Sequence, residues 1–109
     1  MARDHGLEEL IRDELLAVRD LQEKPMFGGW AWLLGGNLLC GARDDGMLVR
    51  LDKGNDAWAL QLIGVEQMIS RGKAMQGWVR ADPSVYGNDT LRTKLIAAAL
   101  QYVRSLPTK

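Results

Sequence analysis

His5 and Cys40 are the only histidine and the only cysteine in 109 residues, so the two side chains that most often carry acid–base or nucleophilic chemistry near neutral pH are nearly absent. His5 lies at the approach to the first helical pattern, where chain ends fray, and pairing it with Cys40 or a serine would require that end to reach into a sheet. Cys40 sits between Leu39 and Gly41 in an apolar run, which is the setting of a buried, inert thiol. For metal binding the best carboxylate group is Asp44 and Asp45 at a turn with Asp52 and Asp56 beyond the next strand. These acids lack the ordered spacing of a calcium loop, and zinc has no His and Cys set to bind. Turn formation and helix capping account for them. The glycine pairs make no phosphate loop either, because Gly28-Gly29 leads into a strand and matches neither Gly-x-x-x-x-Gly-Lys-Ser/Thr nor Gly-x-Gly-x-x-Gly. The residues therefore predict no catalytic residue, no cofactor and no metal.

Aromatic and basic side chains offer more. Four of the seven aromatics are tryptophans. On an extended strand Trp30 and Trp32 project from one face while Phe27, Ala31 and Leu33 project from the other, so both faces are apolar. Such a strand is either central and covered twice, or it lends its Trp face to self-association or, as a lesser alternative, to a small-molecule groove. Arg71 and Lys73 flank Gly72 at an expected hairpin tip, and Arg80 lies at the end of the next strand. With Trp78 nearby, these bases could contact phosphates and stack on a nucleobase. Arg92 and Lys94 stand about 200° apart on a helix and add no stripe to that patch.

Three kinds of element must position these groups. Leu7, Leu10, Ile11, Leu15 and Val18 fall at helical spacing among charged residues, which predicts an amphipathic helix over residues 7–20, with Pro25 ending any continuation. Apolar runs at 26–34, 38–42 and 47–51, separated by Gly35-Gly36-Asn37 and Asp44-Asp45-Gly46, predict a three-stranded meander. A short helix over 56–63, with Asn55 or Asp56 as its cap, comes before strands at 67–70 and 74–81. Gly77 inside the second of these marks a bulge or a close backbone approach. Leu91, Leu95, Ala98, Ala99, Tyr102 and Leu106 share one face of a last helix, capped by Asn88 or Asp89 and stopped by Pro107. The expected fold is α+β, in the order α-βββ-α-ββ-α, with helices covering one face of an antiparallel sheet. No linker or repeat divides residues 1–109, which read as a single domain.

Charge refines the choice of partner. Lys+Arg and Asp+Glu balance at 14 each, which excludes a uniformly basic polyanion binder. The balance hides a division: residues 1–45 carry nine acids and five bases, and residues 67–109 carry two acids and seven bases. A division of this size points to a charged partner, to head-to-tail association, or to two ends that fold against each other. The uncharged run at 25–42 is too short and too rich in glycine for a membrane span, Asp4, Glu8 and Glu9 stand where a secretory signal needs bases, and one cysteine suits a reducing cytosol.

Lys24-Pro25-Met26-Phe27-Gly28-Gly29, the strand Met47-Leu48-Val49-Arg50-Leu51, and Arg71-Gly72-Lys73-Ala74-Met75-Gln76-Gly77-Trp78-Val79 followed by a helix ending Ser105-Leu106-Pro107 resemble, in order, the N-terminal domain of TfoX-type (Sxy-type) competence regulators. That resemblance spans nearly the whole chain. It implies an α+β domain, a cytoplasmic bacterial protein and a connection to the transcription of DNA-uptake genes. It supplies no catalytic residue, and the regulators that give the family its name carry a further C-terminal helical domain. The leading expectation is a non-enzymatic interaction module that binds a protein partner or itself, as a homodimer for example. The alternatives are a nucleic-acid-binding accessory protein using Arg71, Lys73 and Arg80, and a small enzyme or ligand-binding protein with a pocket between the sheet and the last helix. The last would bring Lys24, Arg71 or Lys73 against Asp52 or Asp56.

Overall fold

Asp4 opens the first helix as its cap, accepting a 3.0 Å hydrogen bond from the Leu7 amide and so satisfying one of the donors that a helix start leaves over. This helix, α1 (His5–Glu14), buries Leu7 and Ile11. It stops earlier than the spacing predicts: residues 15–17 form a turn and Asp20 takes a φ of 63°, because the chain must reverse into a strand. The computed structural model describes residues 4–26 and 28–108.

Among the described residues six strands form one sheet: β1 (Leu21–Met26), β2 (Gly29–Leu34), β3 (Asn37–Arg43), β4 (Gly46–Arg50), β5 (Val65–Ser70) and β6 (Lys73–Ala81), in the spatial order β1-β2-β3-β4-β6-β5 with every neighbouring pair antiparallel. Helix α2 (Ala57–Leu60) joins β4 to β5, and α3 (Pro83–Tyr86) and α4 (Asp89–Arg104) come after β6. The fold is α+β, as the sequence predicts, with one strand more in the meander and one short helix more before α4. The added strand is β1. Pro25 does not end the chain's regular structure but sits inside β1 opposite Trp30. An edge strand admits proline because its outer side has no partner to which an amide must donate. Asp82 caps α3 through the Ser84 amide at 2.9 Å, with Pro83 in the first turn, where its missing N–H is no loss. Asn88 caps α4 through the Leu91 amide. Asp56 stands at the cap position of α2 without a side-chain hydrogen bond.

All four helices pack on one face of the sheet. Leu7, Ile11 and Leu15 from the first helical segment, Ala59, Val85, and Leu95, Ile96, Ala99 and Val103 from α4 meet Trp32, Cys40, Ala42, Met47, Val49, Val79 and Ala81 in one buried cluster. Ladder partners such as Trp32↔Cys40, Cys40↔Val49 and Val49↔Val79 place these strand residues in a row on that face. On the opposite face Ala31, Leu33 and Leu48 are buried outside the cluster, with Leu48 lying over Gly41. Gly77 fulfils the expected close approach: its φ is 85°, its carbonyl accepts from the Leu51 amide at 2.7 Å, and a Cβ there would stand 2.6 Å from the Leu51 carbonyl oxygen.

Candidate functional site

Of the residues singled out in the sequence, the tryptophan pair moves furthest inward. Trp32 is 0% exposed in the helix-side core, so it fills the interior and presents no surface to a partner. Trp30 is half-buried against the same core, and its Nε1 donates to a Glu23 carboxylate oxygen at 2.8 Å. Arg12 from α1 grips that carboxylate at two points, 2.9 and 3.3 Å, with its guanidinium carbon 5.9 Å from the Trp32 ring centroid. The pairing raises the Arg12 pKa and lowers that of Glu23, chiefly through their mutual hydrogen bonds. This clasp fastens α1 to the edge strand, and its polar atoms face one another. Phe27, the other aromatic of that motif, lies outside the described residues.

Other motif positions are likewise structural. Lys24 and Pro25 are exposed on β1, Met26 pairs with Gly29 across the turn, and Gly28 takes a φ of 73° there. Gly72 takes a φ of 78° at the β5–β6 turn with nothing within 4 Å of a Cβ. Met75 is half-buried on β6. Trp78 is half-buried, with the Arg50 guanidinium 5.9 Å from its ring centroid.

The expected phosphate patch is divided. Arg71 and Lys73 are both exposed at the hairpin tip, as predicted. Arg80 is at the opposite end of β6, roughly 20 Å from Lys73 at the rise of an extended strand. There it is engaged by Glu66 at 2.6 Å and by Asp45 at 3.8 Å. The three bases therefore do not form one site. The charge division of the chain is also partly internal: Arg92, 7% exposed, meets Glu14 at 3.3 Å, and Arg80 meets Asp45. The acidic front and basic end thus fold against each other.

The remaining candidates separate in the same way. His5 is exposed on α1 with Nδ1 3.7 Å from the buried Glu8 carboxylate, and Cys40 is wholly buried, so that burial pushes its thiol pKa far up. Asp44 and Asp45 lie at the β3–β4 turn, Asp45 paired with Arg43 at 3.1 Å, and among the described residues no group of His, Cys, Asp and Glu could hold a metal ion. No ion pair joins Lys24, Arg71 or Lys73 to Asp52 or Asp56 among the described residues; Lys24 is three strands away from the end of β4, about 14 Å by interstrand spacing.

Two further features of the surface stand out. Among the described residues three of the four exposed large apolar side chains, Leu60, Ile63 and Ile69, fall within ten residues of sequence, on α2, the turn after it and the outer strand β5. Ile63 is 94% exposed and Ile69 66%. The second feature is a groove of about 410 Å³ between α4 and the segment after β4, lined by Asp52, Asn55, Trp58, Ala98, Gln101 and Tyr102. A pocket against the last helix was one of the sequence expectations, but the lysines and arginine proposed for it stand elsewhere. No helix among the described residues is long and apolar enough to cross a membrane.

A family model described as the TfoX N-terminal domain matches residues 13–103. No curated protein and no solved structure matches the chain.

Proposed function

The chain belongs to the TfoX N-terminal domain family, and from that premise we propose that it is a non-enzymatic regulatory module of the cytoplasm that works by binding another protein or a second copy of itself. The observation that carries this reading is the row of exposed apolar side chains, Leu60, Ile63 and Ile69, spread along the free border of the sheet, with Ile63 just before one end of β5 and Ile69 near the other. Scattered single apolar residues on a surface need no explanation, but isoleucines at 94% and 66% exposure on neighbouring segments favour a contact surface. In this reading the partner binds at β5 and not at Trp30 and Trp32. Regulation of competence genes is the role that the family's name attaches to such a module, and binding rather than chemistry is how it would be exercised here.

The test compares the native chain with an Ile63→Asp, Ile69→Asp double variant. Both side chains are exposed, so the variant should fold. Sedimentation at several concentrations and capture from a cytosolic extract should both show associations that the variant loses and that a Leu16→Asp control retains. If the native chain stays monomeric and captures the same proteins as the double variant, residues 60–69 are not a binding surface.

A further inference from the structure

We propose that β5 pairs antiparallel with β5 of a second copy of this chain, about a twofold axis at Met68. The inference rests on the reading of the β5 border as a contact surface and names its partner. As the last strand of the sheet, β5 has β6 on one side and no strand on the other. Both of its ends show which backbone groups face the open side. The Asp82 amide donates to the Gly64 carbonyl at 2.9 Å, so by the alternation of an antiparallel ladder Gly64 and Glu66 turn toward β6 and its continuation, and Val65 and Gln67 turn away. At the other end Arg71 and Gly72, with φ of 53° and 78°, make a two-residue turn closed by the Ser70↔Lys73 pair. The next pair, Ile69↔Ala74, is then an unbonded one, and the Ile69 N–H and C=O also face away from β6. Val65 is 5% exposed and its amide already donates to the Leu62 carbonyl at 3.1 Å. Gln67 and Ile69 are therefore the residues with both groups to offer. No proline guards them, and Glu66, the one charged residue of β5, is held by Arg80 at 2.6 Å.

The strand is complementary to itself. With the axis at Met68, Gln67 of each copy stands opposite Ile69 of the other, and the two bonded pairs exchange about four hydrogen bonds. Ile69, 66% exposed in the single chain, then lies diagonal to the second copy's Ile69, about 7–8 Å away along the backbone and within reach of a long side chain. Each isoleucine covers the other. Opposite Glu66 comes Ser70 of the second copy, and the residue after it is the exposed Arg71. The acid near one end of β5 thus meets the base beyond the other end, once on each side of the axis, which adds attraction and opposes a shifted register. An extended segment of unrelated sequence would satisfy the backbone groups but would supply neither the isoleucine nor the arginine at these places.

The test is Gln67→Pro, which removes an amide that faces the open side and leaves the ladder with β6 intact, as Pro25 does on β1. Sedimentation from micromolar to millimolar concentration should show the native chain passing from monomer to dimer. The variant should keep its far-UV circular dichroism and raise the dimer dissociation constant by at least about tenfold. Register is read by oxidation. Gln67→Cys and Ile69→Cys chains, mixed, should form a covalent dimer, since opposed residues lie within bridging distance, while Gln67→Cys alone should not, its two copies being offset beyond the limit of about 7 Å. Cys40 is buried and does not compete. The pairing is overturned if the native chain stays monomeric throughout, if a folded Gln67→Pro chain dimerises as the native one does, or if Gln67→Cys bridges to itself as readily as to Ile69→Cys. A monomeric chain that still captures a protein through Ile63 and Ile69 would sink the pairing alone and leave the contact surface standing.

Discussion

Replacing Gly77 by alanine tests whether this residue, within the family-like segment Gly72-Lys73-Ala74-Met75-Gln76-Gly77-Trp78, is there for the backbone. The comparison that isolates the effect is Gly72→Ala, because both glycines have positive φ, 85° and 78°, and only Gly77 has a neighbour in the way. At Gly72 a methyl group meets nothing within 4 Å. Its cost is the left-handed conformation alone, about 1–2 kcal/mol, reduced by about 0.4–1 kcal/mol through the stiffer unfolded chain, which leaves about 1 kcal/mol. At Gly77 the same cost applies and the new Cβ also stands 2.6 Å from the Leu51 carbonyl oxygen. Relief requires β6 to move away from Leu51, which strains the 2.7 Å hydrogen bond from the Leu51 amide. Overpacking adds about 1–3 kcal/mol and a weakened hydrogen bond about 1 kcal/mol, so Gly77→Ala should cost roughly 3–5 kcal/mol. Urea unfolding monitored by tryptophan fluorescence measures both variants. At about 4 °C per kcal/mol, thermal midpoints should fall by about 4 °C for Gly72→Ala and about 12–20 °C for Gly77→Ala. Equal losses in the two variants would refute the steric argument and leave Gly77 without a structural role beyond its φ.

Glu23 is held below its ordinary pKa of 4.5, first by its hydrogen bond from Arg12, so the stability it contributes is present above the unfolded pKa and lost as pH falls through the folded one. Glu23→Gln should therefore flatten the acid side of the stability–pH curve below about pH 4.5, by no more than about 1 kcal/mol for so solvent-screened a pair, as denaturant midpoints from pH 7 to pH 3 would record. A native chain that titrates no differently from the variant would count against the clasp. Cys40 should resist a thiol-specific reagent until the chain unfolds, its buried thiolate being strongly disfavoured, and modification faster than unfolding would contradict that burial. Only Arg71 and Lys73 remain together at the hairpin tip, so any DNA retention should fall with log salt with a slope no steeper than about 1.8, two phosphates' worth. A steeper slope would show a patch that the fold does not assemble.

How much the sequence discloses depends on which physical term decides each element. Helix α4 is legible because caps, periodic apolar residues and a terminating proline agree. Strand β1 is hidden because Pro25 carries opposite meanings inside a sheet and at its border, and only the neighbours of a strand tell which applies. Trp30 and Trp32 show their alternation plainly, but which side the helices cover is a matter of long-range packing. Ile69 is misleading for a third reason. The parity that buries Val65 would bury Ile69 as well, but the register shift between Gln67 and Ile69 intervenes, and Met68 is buried while Ile69 is exposed. Arg80 looks free in sequence because its partners, Asp45 and Glu66, are 35 and 14 residues away.

Pro25 also bears on how large any assembly could become. A sheet with two usable borders propagates, since each added copy exposes the border that the last one covered, and the product is a filament. Here one border has lost a backbone donor at Pro25 and carries the charged pair Glu23 and Lys24, while the exposed Ile63 and Ile69 lie at the other. Copies that meet through β5 consume the one competent border on each side. Growth then stops at two, with a twofold axis between them and nothing left to recruit a third.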